Sequence, residues 1–195
     1  MKNDQKDPAL KMPTPAELGG ASVTSQLHEL LLHSLKDIYW AENQLIKTLP
    51  MLRDQATTAG LKMAIQEHHI QTEKHVQRLE QAFNLLGEKA AGEKCEAMAG
   101  LLKETEAILG QTSAGTMTRD AAIIFAAQKV EHYEIATYGG LLEFARTLGL
   151  KQVAGLLNAT LDEEKQADQG LSLIAQTGIN WEAEHEPVAE ASDKL

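Results

Sequence analysis

The sequence is short of the residues that build sheets and short of cations. Aromatics make up 4% of its 195 residues, and there are five valines against 27 alanines and 27 leucines. Strands draw on β-branched and aromatic side chains, whereas Ala and Leu lead the helix scale, so the composition excludes a substantial sheet. Lys and Arg number 18 against 28 Asp and Glu, a net charge of −10. Binding to nucleic acid depends on cationic side chains that displace counterions from phosphates, and an anionic membrane surface asks for the same charges. Neither is an expected partner. No apolar run approaches the ~18 residues of a membrane span, and Met1-Lys2-Asn3-Asp4-Gln5-Lys6 leads into no apolar core. A single cysteine, Cys95, can close no internal disulfide, which fits a reducing cytoplasm. With no Cys or His at motif spacing, it reads as a small buried group rather than a reactive thiol.

The length suits one domain with tails. Residues 1–21, with Pro8, Pro13, Pro15, Gly19 and Gly20, read as a flexible N-terminal tail, and the acidic residues 179–195, broken by Pro187, as a C-terminal one. In the domain between them, 22–178, apolar residues recur at three- and four-residue steps in four long stretches. The first spans about Thr24 to Thr57 and contains Pro50, which predicts a kink that frees the carbonyl of Ile46. The second begins at the N-cap Thr58 and ends at Gly87. The third and fourth span about Thr118 to Leu148 and Leu150 to Thr177, separated by Gly149 and stopped by Gly178. At 1.5 Å per residue each is about 40 to 50 Å long. The turns between first and second, and between third and fourth, are too short for anything but antiparallel hairpins. About thirty residues, 88–117, link the two hairpins and carry a helical pattern of their own from Glu93 to Leu109. The predicted fold is therefore all-α, a ferritin-like four-helix bundle with one long crossover carrying an extra short helix. A simple up-and-down bundle with a decorated loop is the plainer alternative.

All four apolar stripes are interrupted near their middle by groups that bind metal. The first passes Leu31, Ser34 and Ile38 to reach Glu42. The second runs Ile65, His68, then Gln71 or Thr72, then His75 and Leu79. The third carries Glu131 and Glu134 before Tyr138, and the fourth Glu164, then Ala167 or Asp168. Counted from the turns, Glu42 lies about 15 residues before the first and Gln71 about 13 after it, while Glu134 and Glu164 lie about 15 and 14 from the second. In helices of about 30 residues these positions share one mid-bundle layer.

Glu42, Glu131, Glu134, Glu164 and Asp168 would repel one another prohibitively away from water, and no Lys or Arg stands on the seam. Two divalent ions supply the missing charge, and carboxylate plus imidazole is the donor set that iron and manganese take in bundle cores. The alternative treats these residues as solvated flanks, or as neutral acids hydrogen-bonded to His68, His75, Tyr39 or Tyr138. The spacing does not match the usual Glu-x-x-His pair. Glu131 and Glu134 have that spacing without a histidine, and His68 and Gln71 have the histidine first and an amide in place of the acid.

The segments Leu35–Ile46, Cys95–Leu102, Ala127–Gly139 and Thr160–Asp168 resemble, in the same order, those of the YciE/YciF ferritin-like proteins of bacteria. Val130-Glu131-His132-Tyr133-Glu134-Ile135-Ala136 is the most specific part of the resemblance. It implies a dimeric, stress-associated ferritin fold, with Glu42, His68, Glu131, Glu134, Glu164 and Asp168 at positions where the family carries the same groups. The departure is Gln71, in His68-His69-Ile70-Gln71-Thr72, where the family usually has Glu. An amide oxygen binds a dication more weakly than a carboxylate and bridges two poorly, so His75 becomes the candidate replacement.

The expected function is that of a cytoplasmic di-metal carboxylate protein, binding two iron ions, or manganese, and reacting Fe(II) with O2 or peroxide. Glu42 and Glu164 are expected as one-sided ligands, Glu131 or Glu134 as the bridge, His68 and His75 as imidazole ligands, and Asp168 or His132 as orienting groups. Tyr39 and Tyr138 are expected to cap carboxylates. The rival readings are a metal-free stress or scaffold protein that keeps only the bundle, and a manganese site that disproportionates peroxide. Trp40, beside Tyr39, marks either a homodimer surface or a core contact.

Overall fold

Ser25 opens the first helix of the computed structural model, which describes residues 25–187. Its hydroxyl accepts from the His28 amide at 3.2 Å and caps α1, Gln26–Gln55. The N-terminal tail expected over 1–21 and the last eight residues of the C-terminal one lie outside the described residues. The helix continues through Pro50, whose missing N–H leaves the Ile46 carbonyl without its intrahelical partner. His69 on the next helix supplies a replacement, its Nε2 lying 3.1 Å from that oxygen.

Thr58 caps α2, Ala59–Leu85, as its sequence position predicts, accepting from the Leu61 amide at 3.4 Å. Gly87 follows with φ +73°, and the Glu88 amide reaches back to the Phe83 carbonyl at 2.9 Å. That left-handed residue ends a helix without the Cβ clash any other side chain would meet. The crossover then runs along α1. The Glu93 amide donates to the Lys36 carbonyl at 3.2 Å, and Gly92 passes so close to Trp40 that a Cβ there would sit 3.0 Å from the Trp40 Cβ. Trp40 is half-buried against the core.

The crossover's own helix, α3, spans Glu96–Leu109. Cys95 caps it, its buried Sγ accepting from the Met98 amide at 3.3 Å and lying 3.0 Å from the Tyr133 hydroxyl. It is buried as expected, but as a polar cap rather than as an apolar filler. The second hairpin is α4, Met117–Thr147, and α5, Lys151–Ile174, joined at Gly149 with φ +72°.

Gly178 breaks the helical backbone where a stop was expected, yet the chain passes through a π-helical turn, Ala175–Ile179, into a short α6, Asn180–Glu184. Beyond it Glu186 accepts from the Met117 and Thr118 amides at 2.6 and 2.9 Å and so caps α4.

A buried carboxylate sets the relation of the two hairpins. Asp120, in the first turn of α4, accepts from the Thr57 and Thr58 amides at 2.5 and 2.8 Å. The α1–α2 turn and the start of α4 are therefore at one end of the bundle and the α4–α5 turn is at the other. α2 and α4 run parallel, each antiparallel to both α1 and α5, and the crossover must return the length of the bundle. This is the ferritin-like arrangement with one long crossover and an extra short helix. Among the described residues there is no strand, and no helix is long and apolar enough to cross a membrane. The core runs between the four long helices through Leu31, Leu35, Leu61, Phe83, Ile123 and Leu157, and polar side chains occupy its middle.

Candidate metal centre

The inward stripe of α1 delivers Glu42 between Ile38 and Leu45, and those of α4 and α5 deliver Glu131, Glu134 and Glu164 to the same level; all four are essentially inaccessible to solvent. From α2 come His68 and His75, two turns apart on one face, with ring centroids 6.4 Å from each other. The side chains fall into two groups in which donor atoms lie within 4.8 Å of one another. One holds His68, Glu131, Glu134 and Glu164, the other Glu42, His75 and Glu164. Glu164 is common to both, whereas Glu131 and Glu134, expected as the bridge, fall in the first group alone.

The donors point at one another without being satisfied. Glu42 Oε2, His68 Nδ1, Glu131 Oε2, both carboxylate oxygens of Glu134 and Glu164 Oε2 are buried with no hydrogen-bond partner, and His75 Nδ1 and Glu164 Oε1 face only each other, 2.9 Å apart. Buried polar atoms are normally paired, and each left unpaired costs about 1–3 kcal/mol. Six such atoms and the His75–Glu164 pair converge on one level, a candidate ligand set of four carboxylates and two imidazoles. Four negative charges match two dications without remainder, so these residues fit such a pair.

Burial raises the affinity of Glu131 and Glu134 for a proton far above the ordinary carboxyl value, and the neighbouring Glu164 charge adds to it. Glu42 is also raised by burial, partly offset by His75. Burial opposes a charge on His75, yet Glu164 and Glu42 outweigh it and hold the imidazole up at about 10. Its Nδ1 lies 2.9 Å from Glu164 Oε1 and 3.6 Å from Glu42 Oε1. His68 is the opposite case. Burial pushes it below the ordinary value, and its Nε2 stands 3.4 Å from Glu131 Oε1. Without metal, the raised proton affinities of Glu131, Glu134 and His75 take up part of the charge that ions would otherwise balance.

Two expected residues stand apart from these groups. Asp168 accepts from Gln128 Nε2 at 3.1 Å and lies 3.4 Å from Nε2 of the exposed His132. Gln71 is half-buried in the wall of a pocket that it shares with His68 and Glu131, one turn along α2 from His68. Of the tyrosines, Tyr138 is fully buried and donates to Glu42 Oε1, as a carboxylate cap should. Tyr39 instead donates to Glu80 at 3.0 Å, outside the centre.

Sequence reasoning missed Arg78 and Glu163. Glu163 Oε2 lies 2.8 Å from His75 Nε2, and Arg78 holds that carboxylate with two bonds of 2.6 and 2.8 Å. Arg78 keeps Glu163 ionised, down to about 2. An arginine thus stands one layer outside a group of residues that includes no Lys or Arg. The signal was the three-residue step from His75 to Arg78, one helical turn on the same side of α2.

The family described as a domain of unknown function, DUF892, matches residues 26–184. Protein YciF of Escherichia coli K12 is 38% identical over 160 residues, 82% of this chain and 96% of that one. The crystal structure of YciF, an E. coli stress protein, superposes with a TM-score of 0.75 over 80% of this chain and 98% of its own. YcfI of Rhodopseudomonas palustris, described as a candidate structural protein, is 40% identical with a TM-score of 0.74 over 79% of this chain and 98% of its own. A Xanthomonas campestris protein, 23% identical with a TM-score of 0.64 over 80% of this chain and 95% of its own, shares the fold.

Proposed function

The chain belongs to the DUF892 family, and we propose that it is a two-metal carboxylate protein that oxidises Fe(II) in a bacterial stress response. The observation that carries this reading is the convergence, on one level of the bundle, of six unpartnered, buried carboxylate and imidazole atoms with the His75–Glu164 pair. His68, Glu131 and Glu134 would hold one ion, Glu42 and His75 the other, and Glu164 would serve both. Manganese accepts the same donors. The stress role follows YciF, which is described as a stress protein. A homodimer in the cytoplasm is part of the same reading.

The chemistry supplied by two bound Fe(II) ions is the loss of one electron from each to a shared oxidant. With O2 as oxidant, two electrons and two protons leave as hydrogen peroxide. The chain's own part is electrostatic and protonic. Glu131 and Glu134, protonated when empty, release their protons as cations enter, and four buried carboxylates favour the higher-charged product ions. Glu163 accepts the Nε2 proton of His75, which leaves Nδ1 as the free donor toward the centre. Tyr138 donates to Glu42 and fixes which of its oxygens remains free.

Anaerobic Fe(II) titration with metal analysis tests the proposal. Two equivalents per chain are expected, and the Glu134→Ala, Glu164→Ala double variant should lose more than half of the metal; a smaller loss overturns the ligand assignment. The second reading, a metal-free scaffold, is favoured by the imidazolium at His75, which gives the empty layer some countercharge of its own. Thermal denaturation with and without EDTA separates the two. A loss of several degrees on chelation supports the metal, and no shift supports the scaffold.

A further inference from the structure

Beside the layer, toward the α1–α2 turn, a pocket of about 170 Å³ reaches in between all four long helices. Leu49 and Leu52 of α1, Ile65 of α2 and Leu171 of α5 wall it, and each is less than a tenth exposed. The space exists because residues facing it are small. Ala64, Ala127 and Ala167 line it from three helices, and a Cβ built on Gly170 would meet no atom within 4 Å. At its inner wall stand His68 and Glu131, each at least nine-tenths buried and each with an unpartnered atom, Nδ1 and Oε2.

We propose that this pocket binds a small uncharged apolar molecule, seated against the His68–Glu131 side of the centre. The volume sets the size. An apolar cavity of about 150 Å³ holds benzene, whereas one water occupies about 30 Å³ of the liquid. The wall sets the polarity, since aliphatic side chains give water few partners and gain from covering by an apolar guest. The charges set the sign. No Lys or Arg lines the pocket among the described residues, whereas Glu67 and Glu131 do, so an anion of the same size is repelled. Two sources share this chemistry, dioxygen and an organic molecule. That the guest faces a reacting metal rests on the proposed function; the pocket itself does not.

The test uses the full chain, as purified and after EDTA treatment, with methyl-resolved NMR under xenon pressure and in titrations of benzene and benzoate. Xenon stands for dioxygen and benzene for an organic guest. Saturable shifts of the Ile65, Leu49 and Leu171 methyls are expected, with benzoate at least tenfold weaker than benzene. Xenon alone assigns the pocket to a dioxygen-sized guest, and benzene as well assigns it to an organic one. Gly170→Leu should abolish both without lowering the melting temperature, because its Cβ enters free space on a helix that gains from losing glycine. Saturation by neither probe, equal binding of benzoate, or shifts that survive Gly170→Leu overturn the proposal. Binding in the EDTA-treated chain is independent of any metal, so failure here and failure of the di-metal reading are distinguishable.

Discussion

His75 is held between two adjacent glutamates of α5. Its Nε2 lies 2.8 Å from Glu163 and its Nδ1 2.9 Å from Glu164. Neighbouring residues on a helix diverge by about 100°, and the two nitrogens of one imidazole span that divergence. Glu163 belongs to a chain of contacts that ends at Arg78, and Glu164 to the centre. The ring is thereby fixed in orientation, and on the proposed two-metal reading Glu163 would be the outer carboxylate of a ligating histidine.

Glu163→Ala should therefore weaken one of two metal sites while sparing the other. Loss of such an outer partner typically costs about 10–100-fold in affinity. The ion bound through Glu42 and His75 is expected to show it, and the ion bound through His68 is not. Glu163→Gln, which retains an acceptor oxygen, should recover part of the loss. Competition against a chromophoric chelator measures both affinities, and equal weakening of the two ions would contradict the arrangement.

Asp120→Ala probes the joint between the hairpins. The Thr57 and Thr58 amides would lose their buried acceptor, and hydrogen bonds to charged groups contribute about 1.5–3 kcal/mol each. Water entering the gap recovers some of this, so a loss of about 2–4 kcal/mol is expected in urea denaturation. The midpoint should fall with little change in slope, because the exposed surface of the unfolded chain is the same. A loss below about 1 kcal/mol would mean that the turn is held by other contacts.

Much of this architecture was legible along the chain because its signals are local. Thr58 caps α2 through a residue three positions on, and Gly87 and Gly149 take the positive φ that their places at helix ends require. The polar layer was legible because Glu42, His68 and Glu134 interrupt stripes that are otherwise apolar. Sharing of Glu164 was not, since it depends on heights across helices to within an ångström or two, and counting residues from a turn is coarser than that. Glu163 and Arg78 sit off the stripe, where the periodic pattern reads them as solvated. Asp168, one turn along α5 from Glu164, bonds Gln128 and faces His132 and joins neither group. Gly178 was a visible break, but α6 buries none of its residues, and the chain after it is held by Glu186 bonding to a helix start some seventy residues earlier, which no periodicity records.

Tyr138→Phe separates a capping role from any role in electron transfer. The hydroxyl donates to Glu42 Oε1 in a fully buried place, so its removal leaves that oxygen only His75 Nδ1, 3.6 Å away, in the empty protein. A destabilisation of about 1–3 kcal/mol is expected for the metal-free chain, and a smaller one for the loaded chain, where a cation takes up the oxygen. Iron stoichiometry and the rate of Fe(II) oxidation should stay within about threefold. A loss of oxidation with binding intact would assign the phenol to the reaction instead.

The empty layer should make the protein lose stability as pH rises. Glu131, Glu134 and Glu42 have folded-state affinities for a proton above their unfolded values, so their contribution is fully present below about 4.5 and is lost as pH climbs through the raised range. His75 acts in the same direction, its contribution present below 6.5 and lost by about 10. His68 opposes them, because burial lowers it and its contribution exists only above 6.5. At the acid end Glu163 loses its contribution as pH falls from 4.5 to about 2. Four groups against one leave the EDTA-treated chain most stable near pH 5 and progressively less so toward pH 9. Metal reverses the trend, since cations bind the ionised carboxylates and displace protons, so the gap between loaded and chelated melting temperatures should widen with pH. Melting curves at pH 5, 7 and 9, with and without EDTA, measure this directly, and a chelated chain whose melting temperature climbs from pH 5 to 9 would show that these carboxyls are ionised and already neutralised by another means.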